Sequence, residues 1–174
     1  MCARIPPPLA PHPQQELPRR FGIEALSLDE LLIDAMLAVA AELKVDWNIV
    51  LKADASQPDS TDWRRLLQLA SRAAQRVASQ LTGRTTPILL TEPGLVARYG
   101  LMNLVTELQA QSGRAGKTPA TLLLVPSSNA SNPAIDGVTL PVPTPAHWAQ
   151  VPEGWVANVH RGASSDTVFQ AERS

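Results

Sequence analysis

The string Gly113-Arg114-Ala115-Gly116-Lys117-Thr118 ends as a phosphate-binding P-loop ends. Such a loop works because backbone N–H groups at a helix N-terminus meet the phosphate while the lysine reaches its outer oxygens. The pattern needs four residues between its first glycine and the Gly-Lys-Thr, and Gln111 stands where that glycine should be. The context is also inverted, since the string leaves a helical pattern and enters a strand pattern. No helix N-terminus would face the anion, so a nucleotide loop is rejected.

A second nucleotide argument rests on strand ends. Ile88-Leu89-Leu90-Thr91-Glu92 closes an apolar run with a carboxylate, where P-loop ATPases keep an acid for magnesium or water. The next apolar run, Thr121 to Val125, leads into Ser127, Ser128 and Asn129, where such enzymes carry a polar sensor. Both places are carboxyl ends of strands, where open α/β sheets bind ligands. The alternative reading is thus an ATPase-core remnant with ATP and Mg as cofactors, Glu92 as acid and Asn129 as sensor. Its phosphate loop would have to come from another polypeptide. Strands commonly end in polar turn residues, so the preferred expectation is no catalytic residue and no cofactor in this chain.

Other constellations fail on spacing. His12, His147 and His160 have no second ligand at helical register, so no metal site is expected. Ser127 and Ser128 lack the glycine-flanked turn of a hydrolase nucleophile. Asn129-Ala130-Ser131 is a formal glycosylation sequon, but no secretory signal precedes it. Trp47, Trp63, Trp148 and Trp155 lie among apolar neighbours and read as packing residues. Arg19-Arg20 and Arg64-Arg65 are short basic pairs of the kind found on solvated faces. Trp63 beside Arg64 and Arg65 is the weakest alternative, a nucleic-acid contact.

The totals set the frame. The 174 residues carry a formal charge of −1, which exerts no overall pull toward nucleic acid or anionic lipid. One cysteine, Cys2, cannot form an internal disulfide. No run is apolar for long enough to span a bilayer, so the expected compartment is the cytoplasm.

The elements that must position these residues follow from pattern. Residues 1–18 hold six of the 16 prolines and read as a disordered tail. A single α/β domain is expected over 19–161, and a flexible tail over 162–174. Ser27-Leu28-Asp29-Glu30 is a capping box opening an amphipathic helix with Leu28, Leu31, Leu32, Ala35, Met36, Val39, Ala40 and Leu43 at 3.6-residue spacing. Val45–Leu51 suits either a strand or a short helix capped by Asp46, and we favour the helix. A second amphipathic helix spans about Thr61 to Leu81, with Gly83 placed for a left-handed cap. Then Pro87–Thr91, a third helix from Gly94 to Gln111, and Thr121–Val125 make a βαβ unit with parallel strands. Asp136-Gly137 marks a turn before Val138–Val142, where Pro141 confines the strand to an edge or its end. The expected fold is therefore α/β: two amphipathic helices followed by a βαβ unit and a small, mainly parallel sheet.

Three strings together carry a family resemblance: Leu17–Gly22 (LPRRFG), Leu90–Tyr99 (LTEPGLVARY), and Leu124-Val125-Pro126 leading through Ile135-Asp136-Gly137 to Trp155–Asn158 (WVAN). The ensemble resembles the carboxyl-terminal region of large bacterial phage-growth-limitation (BREX-type) defence proteins, nearest to their serine/threonine kinase component. The likeness covers about residues 17–161. It implies phage defence, with protein partners in a defence assembly, and it brings no catalytic residues. A kinase needs a glycine-rich loop, a strand lysine, an HRD loop and a DFG metal site, and this sequence has none of them. The resemblance implies a non-catalytic interaction or regulatory end. If the frame is truncated, strands that would pair with Ile88–Thr91 are lost, which predicts an exposed apolar edge there.

Overall fold

The computed structural model describes residues 13–112, 120–126, 133–144 and 147–156. The Gly113–Thr118 string, Ser127, Ser128, Asn129, His12, His160 and the tail from Arg161 lie outside them.

Helix α1 (Pro13–Phe21) occupies the end of the segment expected to be a disordered tail. Glu16 accepts from both Arg19 and Arg20 along its surface. Gly22, at a φ of 62°, turns the chain into strand β1 (Glu24–Ser27). This strand was not expected. Its four residues are too few to show an alternation, and Ser27 doubles as the N-cap of the following helix, which masks the strand's end.

Helix α2 (Leu28–Glu42) begins as its capping sequence predicts, with the Ser27 hydroxyl accepting from Glu30 N–H at 3.1 Å. Of its expected face Leu28, Leu32, Ala35, Met36, Val39 and Ala40 are buried, while Leu31 is half-buried and Leu43 is exposed. Helix α3 (Trp47–Asp54) settles the ambiguous stretch, because the Asp46 carboxylate caps it by accepting from Asn48 N–H at 2.7 Å. Helix α4 (Thr61–Thr82) buries Leu66, Ala70, Ala73, Ala74, Val77 and Leu81, as its spacing predicts. Its small alanines let α2 approach closely, and the two helices make the main contact of the fold. Gly83 differs from expectation: its φ of −76° is right-handed, so its special freedom goes unused.

Strand β2 (Ile88–Thr91) is the centre of a parallel three-stranded sheet in the order β1-β2-β3, with β3 at Thr121–Leu123. The expected bare edge at Ile88–Thr91 is therefore corrected, since β1 pairs with one side of β2 and β3 with the other. Parallel strands need both faces covered, and all four β2 residues are buried. Ile88 and Leu90 join the core under α2, α4, α5 and α6. Leu89 points the other way and is 1% exposed. Leu17 of α1 and Trp148 line the groove on that side with it.

The third helix is split into α5 (Gly94–Arg98) and α6 (Met102–Gln111). Gly100, at a φ of 65°, allows Leu101 N–H to reach Val96 C=O and Gly100 N–H to reach Ala97 C=O. Those two bonds are the Schellman closure, which ends a helix by satisfying its last carbonyls. Strands β4 (Ala134–Ile135) and β5 (Val138–Thr139) form an antiparallel hairpin around Asp136-Gly137, both left-handed, and pairing stops before Pro141. A last turn, α7 (Glu153–Val156), is tied to α1 by Arg20, whose guanidinium donates to Val156 C=O at 3.0 Å.

Candidate functional site

In a parallel sheet the carboxyl ends of the strands open together, and loops there carry function. Here β1 runs into α2 and β2 into α5, and two backbone turns bring their acids close. Glu92 ends β2 at a φ of 52°, a left-handed conformation costly for a non-glycine residue. That turn directs the Glu92 C=O to Asp29 N–H, 3.1 Å away. Asp29 Oδ1 in turn accepts from Leu95 N–H at 2.8 Å, tying the start of α2 to α5. Gly94 lies between acids: a Cβ on it would stand 3.3 Å from Asp29 Oδ2 and 3.9 Å from Asp136 Oδ2. Burial pushes the Asp29 carboxyl above the usual aspartate range; the Leu95 N–H opposes this, while the charges of Glu92 and Asp136 add to it.

Asp29, Glu92 and Asp136 thus share the carboxyl edge of the sheet. Among the described residues no group of His, Cys, Asp or Glu is disposed to hold a metal ion. Glu92 is exposed at the strand end where the sequence places it, and Asn129 lies outside the described residues. Asp29 was read from sequence only as part of a helix cap. Its second role, as acceptor for α5, depends on a contact across 66 residues that no local pattern reveals.

The remaining candidates are engaged elsewhere. Trp63 carries the Arg98 guanidinium over its ring at 5.6 Å, and its centroid lies 6.2 Å from that of Tyr99. Arg98 Nε and the Tyr99 hydroxyl both donate to Asp54 Oδ1, so these groups bracket α3, α4 and α5 together. Burial, then the Asp54 charge, pushes the Tyr99 hydroxyl up and keeps it a donor. Arg65 pairs with Asp62 at 3.5 Å on an exposed face. His147 Nδ1 lies 2.7 Å from the Thr144 hydroxyl. Trp47 packs against the core, Trp148 lines the groove described next, and the Trp155 side chain is outside the described set.

A groove of about 590 Å³ wraps the outer edge of β3. On one side stand Leu89, Leu122 and Trp148, and on the other Val105, Leu108 and Gln109 of α6. This volume lies within the range of ordinary ligand clefts. No Asp, Glu, Lys or Arg is among the described residues lining it. Gln109 Nε2 donates to Pro141 C=O at 2.8 Å, while its Oε1 is buried without a hydrogen-bond partner among the described residues. No local pattern marks this site, because Gln109 looks like one more polar residue on a helix until β3 and the hairpin close around it.

The fold and its edge sites define an α/β domain with a small parallel sheet, whose carboxyl end carries acids and whose outer strand borders an apolar groove. Comparison with known proteins then gives a setting. The chain is 36% identical over 154 residues to "Probable kinase PglW" of Streptomyces coelicolor. The match takes in 83% of this chain and spans a tenth of that protein's length, consistent with its carboxyl-terminal region. The resemblance to the kinase component of phage-growth-limitation proteins is borne out. No protein-family model and no solved structure matches the chain. Among the described residues no helix is long and apolar enough to cross a membrane.

Proposed function

We propose that this chain is a non-catalytic interaction or regulatory domain of a Pgl-type (BREX) phage-defence protein, acting in the bacterial cytoplasm through contacts with other proteins. The similarity over 154 residues to one tenth of a probable kinase carries this reading. The groove at β3 supplies a contact surface of ordinary ligand-site size. Deleting the matched segment from the Streptomyces protein tests the reading directly. The expected result is a purified protein that still transfers phosphate from ATP, in cells that have lost phage resistance in plating assays. Unchanged resistance, or phosphotransfer by the isolated 174-residue chain, overturns it.

A second reading draws on Glu92 at the carboxyl end of β2. There the chain is an ATPase-core remnant, with Glu92 as the acid, Asn129 as the sensor, and ATP and Mg as cofactors. Calorimetric titration with Mg-ATP tests this reading through its positive outcome. Binding by the chain that Glu92→Gln abolishes favours the remnant and overturns the interaction-only view.

A further inference from the structure

We propose that the outer edge of β3 is an acceptor slot for an extended, uncharged apolar segment from outside this domain, supplied by the rest of the longer protein to which it belongs and added as a fourth strand to the sheet. The inference rests on the interaction reading above and names its surface and its ligand chemistry.

Ladder geometry comes first. Ile88 N–H donates to Ala120 C=O at 3.1 Å, and Leu124 N–H donates to Leu90 C=O at 2.9 Å. Alternation in a parallel ladder then turns the polar groups of Ala120, Leu122 and Leu124 toward β2, and those of Thr121 and Leu123 outward. Ser112 Oγ accepts from Thr121 N–H at 3.0 Å. The outward N–H and C=O of Leu123 find no partner among the described residues. An unpaired pair of this kind is a template for strand addition.

The groove has the form such a strand requires. A paired strand lies about 4.8 Å from its neighbour and sends alternate side chains to the two faces. On one face those side chains would meet Leu122, which is 50% exposed, and on the other Val105 and Leu108 of α6. Within the α6 wall, Gln109 Oε1, buried and without a partner among the described residues, calls for one more N–H donor. The absence of charged residues from the described lining selects against charged side chains. A bare apolar molecule could fill the volume, yet it would leave both polar positions unsatisfied. A polypeptide backbone satisfies them and the apolar walls together. The chain spans a tenth of its relative's length, so the rest of such a protein is the source favoured for the segment.

Amide hydrogen exchange on the full chain is the first test. Leu123 should exchange fast while Leu122 and Leu124 on the same strand are protected. Selection from a random library of uncharged peptides of roughly six residues, a typical strand length, supplies the probe. Selected peptides should be apolar and free of central proline, and their binding should slow Leu123 exchange. Leu122→Lys, at a half-exposed position, should weaken them at least tenfold while the chain stays folded, with a thermal midpoint close to that of Leu122→Ala. Protection of Leu123 in the free monomer would mean the chain fills its own edge, and protection that grows with protein concentration would assign the slot to a second copy. Either result overturns the proposal, as does an empty selection or binding that leaves Leu123 exchange unchanged. Peptide binding together with unimpaired resistance in the deletion strain would retain the slot and remove the defence role. Lost resistance with an empty selection would do the reverse.

Discussion

Asp29 serves two helices: its backbone N–H meets Glu92 C=O, and its carboxylate meets Leu95 N–H. The second bond favours the charged form, but burial, then Glu92 and Asp136, outweigh it and raise the folded pKa. A carboxyl whose pKa is higher folded than unfolded holds its proton more tightly in the fold. Its contribution is fully present below the unfolded value and is lost as pH rises through the folded one, because the unfolded chain ionises first. Asp29→Asn keeps an acceptor for Leu95 N–H and carries no charge. The variant should match the parent or fall slightly below it near about pH 3, where the carboxyl is protonated in both states. It should gain on the parent as pH rises toward neutrality. Urea unfolding across a pH series reads the difference, and a difference that does not vary with pH would refute the account.

At the scale of elements, helix termini decide the layout. Helix α2 ends in the same closure as α5, with Lys44 N–H to Ala41 C=O and Val45 N–H to Ala40 C=O, but the left-handed position is held by Lys44 at a φ of 56°. A lysine there bears a steric cost that glycine does not. Lys44→Gly is therefore expected to stabilise the fold by about 1 kcal/mol, seen as a raised denaturation midpoint at unchanged slope. Equal or lower stability would show that the conformation is unstrained. The same chemistry explains what the sequence made legible. Ser27 and Asp46 each announce a helix through a short side-chain acceptor, and both act as such caps; Ser60, which carries no capping box, caps α4 in the same way. Gly100 was passed over, because an apolar stripe continues across it from Leu95 to Leu108 and hides the break. Strand β1 was missed for a different reason: its partner lies more than sixty residues away in register, Ala25 against Leu89.

For the whole molecule, the sheet has one face sealed by a helix layer and another covered unevenly. Leu89 and Leu122 are Cα partners on that second face, one 1% and the other 50% exposed. Leu89→Ala should cost about 2–5 kcal/mol, as truncation of a fully packed leucine does. Leu122→Ala should cost less than about 1 kcal/mol, since most of its transfer term is already forgone. Thermal unfolding of the two variants side by side checks the asymmetry, and similar losses would mean that the groove closes in solution. The α/β class and parallel pairing could be read from apolar runs alternating with helical stripes. The groove could not, because its lining comes from stretches as far apart in the chain as Leu17, Leu89, Leu108, Leu122, Leu140 and Trp148.

One tie in this arrangement joins residues 136 positions apart: Arg20 donates to Val156 C=O. During synthesis the helix layer can assemble as soon as α6 has left the ribosome. The contact between α1 and α7 has to wait until residue 156 is out. A nascent chain stalled between those points carries a finished helix layer and lacks that last clasp. Ribosome-bound chains halted before and after this point should therefore differ in protease sensitivity at α1, although both already contain the whole of α1.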